Sequence, residues 1–147
     1  MFMKKVFYLV LCLSLVLVSC SKDDVDPRDA YVGSWTANVT GSMNFSFSGA
    51  TTTFPTVGTA NATVAKVGTD KLDIGGLEAT LSGSKLIIDP TTETETANGV
   101  TSQLTSTYSG TASGGLMVIT IKYSGTATSG TNTGVISGTT VNTFTKK

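Results

Sequence analysis

The chain has no histidine and only two cysteines, Cys12 and Cys20. Without imidazole the common transition-metal ligand sets cannot be assembled, and a serine or cysteine nucleophile lacks its customary base. Arginine occurs once, at Arg28, and the 10 basic residues are balanced by 10 acidic ones. No basic stripe forms, so nucleic acid is not an expected partner. Neither a Gly-x-Ser-x-Gly elbow nor a phosphate-binding glycine loop is present. Together these absences argue against an enzyme and against a cofactor or metal. After the first 20 residues no window shows the three-to-four-residue apolar period of a helix.

What the chain does have begins at its start. Lys4 and Lys5 precede an apolar run over residues 6–18. The run has the length of a signal-peptide core and is short for a bilayer span. It ends in Leu17-Val18-Ser19-Cys20, which resembles the lipobox of bacterial lipoproteins. The resemblance implies cleavage before Cys20 and a thioether-linked diacylglycerol on its sulfur. Each buried methylene contributes about 0.8 kcal/mol, so two or three acyl chains make a lasting anchor. Cys12 lies in the removed segment and leaves the mature chain without a disulfide. Lys22-Asp23-Asp24 resembles the export signal of surface lipoproteins in the Bacteroides group, which implies lipid anchoring in the bacterial outer membrane, facing the cell surface. The expected organisation is a signal peptide over 1–19, an acylated flexible tether over 20–30 and one domain over 31–147.

Within that domain Thr, Ser and Gly dominate, but apolar residues recur in alternation. Met43, Phe45 and Phe47 share one face; so do Leu77, Ala79 and Leu81, and again Met117, Ile119 and Ile121. A period of two reads as half-buried strands, with β-branched Thr on the outer side. Strands are expected over 33–40, 42–48, 59–67, 71–74, 77–81, 85–89, 103–111, 116–125 and 134–144. Turn signals such as Gly75-Gly76 and Asn98-Gly99 separate them. Eight or nine short-linked strands close most naturally into a small up-and-down antiparallel β-barrel, which leaves no bare edge. A Greek-key β-sandwich is the alternative. The echo between "YSGTASGG" at 108–115 and "YSGTATSG" at 123–130 reads as repeated hairpin chemistry, with too few copies for a solenoid.

The stretch Tyr31-Val32-Gly33-Ser34-Trp35 carries a second resemblance. Gly-x-Trp opening a first strand is the signature of lipocalins and their calycin relatives, with Gly33 and Trp35 in the matching places. The resemblance implies a lipocalin-like barrel whose Trp packs across the floor. In that family a late-strand Arg commonly packs on this Trp; here the late strands hold no Arg, and Lys122 is their internal base.

Two functions are expected from this reading. The first is a barrel that binds a small apolar or amphipathic ligand, with Phe45, Phe47, Tyr108, Met117, Ile119 and Ile121 among its lining. The second is a filled, non-catalytic structural or interaction module that contacts glycans or a partner protein at the cell surface. Glu93 and Glu95, two apart in "TTETETANG", read as charges of a solvated loop or edge strand. A calcium site with Asp89 is the sharper option, but the spacing is not that of a calcium loop.

Overall fold

Long runs of Thr, Val and Ile with two-residue turns between them favour extended chain, and strands account for nearly all of the structure. The structure, a computed structural model, describes residues 25–147. Cys20, Lys22, Asp23 and Asp24 lie outside the described residues. Ten strands follow in order: β1 (Gly33–Phe47), β2 (Ala50–Pro55), β3 (Gly58–Val67), β4 (Lys71–Ile74), β5 (Leu77–Ser82), β6 (Lys85–Ile87), β7 (Thr91–Ala97), β8 (Val100–Ser113), β9 (Leu116–Ser129) and β10 (Asn132–Lys146). Eight of them, all but β2 and β7, close an antiparallel ring in chain order. β10 returns to β1 along a ladder from Trp35↔Lys146 to Ser46↔Val135. The fold is therefore an all-β, up-and-down barrel, and the Greek-key sandwich is set aside.

The staves differ greatly in length. β4 has 4 residues, β1 has 15. Strands β2 and β3 share one register against β1 (Met43↔Phe54, Ala37↔Ala60), so they form one strand interrupted at Thr56 and Val57. Strands β6 and β7 both pair with β8, and the register slips by one residue between Leu86↔Gly110 and Thr91↔Ser106. That slip is a bulge at residues 88–90, where Pro90 supplies no ladder donor. Above the closed ring, six strands therefore run on as a sheet in the order β2-β1-β10-β9-β8-β7. β4 and β5 stop short of it, ending in the turn at Gly75-Gly76.

Three features depart from the sequence reading. The strands expected over 33–40 and 42–48 are one strand, because Gly41 is a point of close approach and no turn. Its φ is +150°, and a Cβ there would lie 2.2 Å from the Thr139 carbonyl oxygen. Strand β2 was not expected, and β7 only as the edge-strand option for Glu93 and Glu95, since neither buries a residue. Each is held by its hairpin turn: Ser48 and Gly49 have φ of 48° and 84°, Asn98 and Gly99 of 52° and 76°. Positive φ at both central positions is the twist-matched hairpin geometry. Finally, Pro27–Ala30, placed in the flexible tether, form a 3-10 helix capped by Asp26.

The ring is filled where it is closed. Trp35, Leu72, Met117, Ile119 and Val64 are almost fully removed from solvent, with Ala37, Ala79 and Ala112 between them. Eight strands leave room for little beyond side chains of this kind. Among the described residues no buried side-chain polar atom lacks a partner. Thr140, 2% exposed, has its hydroxyl 3.3 Å from that of Tyr123.

Candidate binding face

At the closed end Trp35 packs under the barrel and its Nε1 donates to the Tyr31 carbonyl at 2.8 Å. Gly33, two residues before it, has a φ of 128°, a conformation that favours glycine, and the Lys146 stem lies beside it. The Lys146 Nζ lies 6.0 Å from the Trp35 ring centroid and donates to the Ala30 carbonyl at 2.6 Å. Lys122, the internal base of the late strands, lies on the outer face, away from Trp35. Lys146 was missed because the last strand was expected to end at 144.

The 3-10 helix is clamped to the same end. Asp26 accepts from Arg28 (Nη2 to Oδ2, 2.7 Å) and from Lys66 (3.3 Å), and Lys66 also pairs with Asp29. Arg28 reaches on to the carbonyls of Gly68 and Lys71, each at 3.2 Å. Hydrogen bonds from the Arg28 side chain and backbone hold the Asp26 carboxyl far below the usual carboxylate range. The Asp29 carboxylate raises the Lys66 ammonium above its ordinary value. Polar residues that look like a linker are thus an ordered helix held by a charge network.

The six residues expected to line a ligand site separate into three levels. Met117 and Ile119 are in the packed floor. Tyr108 and Ile121 are half-buried against it. Phe45 and Phe47 lie beyond the ring on the projecting sheet, their rings stacked 6.3 Å apart and 9° from parallel.

Cross-strand partners point to the same face, so the ladders give that face row by row. One row reads Thr52, Phe45, Ile136, Gly125, Leu104, Glu93 from edge to edge. The next, nearer the ring, reads Phe54, Met43, Gly138, Tyr123, Ser106, Thr91. Toward the tips, Ala127, Ser102 and Glu95 align. The face is apolar on its β1 side, mixes glycine with Ile136, Tyr123 and Leu104 in the middle and is acidic at the β7 rim. A Cβ on Gly134 would lie 2.7 Å from the Phe45 ring, and one on Gly138 would lie 3.2 Å from the Met43 side chain. Both large side chains therefore lie down over glycine. Phe54 is 56% exposed and Phe47 36%. Phe54 was missed together with its strand.

The opposite, outer face of this sheet carries no aromatic side chain. Its hydroxyls pair with one another, as in Thr92–Thr105 at 3.0 Å, Thr96–Thr101 at 3.0 Å and Ser46–Thr51 at 2.8 Å. An open cleft of about 580 Å³ lies there, lined by Ser42, Asn44, Lys122 and Thr139 among others. Glu93 and Glu95 sit on an edge strand, as one of their two readings had it. Comparison of the chain with protein-family models, curated proteins and solved structures finds no match.

Proposed function

We propose that the protein is a non-catalytic interaction module, lipid-anchored through Cys20 on the bacterial outer surface. Its filled barrel is a base, and its projecting sheet offers an apolar face to a partner. The observation that supports this reading is the separation of the expected ligand lining. Met117 and Ile119 are consumed by packing, whereas Phe47 and Phe54 lie on an open, single-layer face. A small-molecule site encloses most of its ligand; a face open at both edges suits a macromolecular surface. A sheet that buries only one layer's worth of side chains also calls for a second layer.

Chain direction gives the reading an orientation. The 3-10 helix precedes β1 at the Trp35 end, and β1 runs from there to the turn at Ser48 and Gly49. A strand of this length extends roughly 50 Å, less when tilted as barrel strands are. Anchored at Cys20, the molecule would hold its hairpin tips away from the membrane.

Two measurements test this. Metabolic palmitate labelling of wild type against Cys20→Ala tests the anchor; equal labelling of both forms would sink it. Nile red, a neutral apolar dye, tests the face. Its fluorescence should rise with wild type and fall back with the Phe47→Ser/Phe54→Ser double variant. An unchanged signal in that variant counts against the face.

A further inference from the structure

We infer that the partner of the projecting face is a basic amphipathic helix, its apolar stripe on Met43, Phe45 and Phe47 and its Lys or Arg side chains toward Glu93 and Glu95. The inference rests on the interaction reading above and names the partner's chemistry.

Charge comes first. On the inner face of the projecting sheet, Glu93 and Glu95 are the only charged residues, and neither belongs to an ion pair among the described residues. They sit beside Leu104 and Ser102, across the sheet from the aromatic side. An occupant that buries its apolar side on Phe45 must therefore carry positive charge along one flank. Complementary charge of this sort sets orientation and excludes anionic competitors.

Shape comes second. Six strands are about 24 Å across at the spacing of a sheet, and a helix with side chains is about 10–12 Å wide. A helix of about 14 residues is about 21 Å long, so one laid obliquely across the strands meets the apolar side and brings its basic flank to the β7 rim. Between the two sides Gly125 carries no side chain, while Phe45 lies over Gly134 and Met43 over Gly138, which widens the apolar side. An extended strand added to either free edge would leave this face bare. A second copy of the chain would bring the same acidic pair and no basic residue on this face to meet it.

The test uses the unacylated chain from residue 20 onward, which keeps every described strand. Three labelled peptides of about 14 residues, roughly four helical turns, are titrated by fluorescence anisotropy. One has Leu and Lys at helical spacing, one has Glu in place of Lys, and one has the first peptide's composition in strict alternation. The helical Leu/Lys peptide should bind about tenfold tighter than either of the others, and its affinity should fall with salt. Glu93→Gln/Glu95→Gln should erase the preference and the salt dependence while circular dichroism stays unchanged. Equal binding of the Leu/Glu peptide to wild type overturns the inference, as does tighter binding of the alternating peptide. If the peptides bind alike and Phe47→Ser/Phe54→Ser abolishes all binding, the apolar face stands and only the basic-helix assignment falls. If that variant changes nothing, both fall.

Discussion

Lys146 and Trp35, opposite each other in the β1–β10 ladder, close the barrel floor together. The ammonium lies 6.0 Å from the indole centroid and is hydrogen-bonded to the Ala30 carbonyl. One side chain thus ties the last strand, the first strand and the 3-10 helix. Lys146→Met keeps the stem and loses the charge. It should cost about 1 kcal/mol, combining an exposed cation–π contact with one hydrogen bond. Urea denaturation checks the loss, and Lys146→Arg should recover most of it.

Trp35 is the largest fully buried side chain. Trp35→Ala should cost about 3–5 kcal/mol, a large share of the stability of an ordinary domain. The expected outcome is a chain largely unfolded at 37 °C by circular dichroism. Trp35→Phe should fold, with a lower denaturation midpoint.

The 3-10 helix and its charge network carry a pH dependence with a definite sign. The Asp26 carboxyl is depressed in the folded state, chiefly by its hydrogen bonds from Arg28. Its contribution is fully present above the ordinary value of 3.8 and is lost as pH falls toward the folded value. The denaturation midpoint of wild type should therefore drop more steeply than that of Asp26→Asn as pH falls below about 4. Parallel acid limbs would contradict the assignment.

Two glycines on the inner face should respond differently to one methyl group. A Cβ on Gly125 would meet the Gln103 carbonyl oxygen at 2.1 Å, which is backbone of a paired strand. Gly125→Ala should cost about 1–3 kcal/mol, as overpacking does. A Cβ on Gly134 meets the end of the Phe45 ring. That ring is partly buried but ends a rotatable side chain on an open face, so Gly134→Ala should cost less and raise Nile red binding. Urea midpoints and dye titrations on both variants decide this.

The closed half of the fold was legible because burial imposes a pattern. Met117, Ile119 and Ile121 alternate with polar residues, and Asn98-Gly99 announces a hairpin. β2 and β7 were illegible for the same reason. Every side chain in "ATTTFP" and "TTETETA" is exposed, so no apolar period marks them; turn geometry and the neighbouring strand hold them. Asp26 to Ala30 read as tether because a short polar helix has the composition of a linker. Its order comes from Arg28 and Lys66, and the Lys66 partnership spans 40 residues of sequence to Asp26. As for the face, Phe45 and Phe47 were visible as a stripe. Their placement on the same sheet as Glu93 depends on pairings through β10, β9 and β8, which no local pattern records.

The position of β1 sets how the molecule bears load. β1 is flanked by β10 on one side and by β2 and β3 on the other. A pull on the start of β1 against the hairpin tips of the neighbouring strands acts along β1. Ladder hydrogen bonds lie across the strands, so such a pull shears the whole length of both ladders at once. Peeling would break them one by one. The geometry makes the barrel stiffest against tension directed along β1.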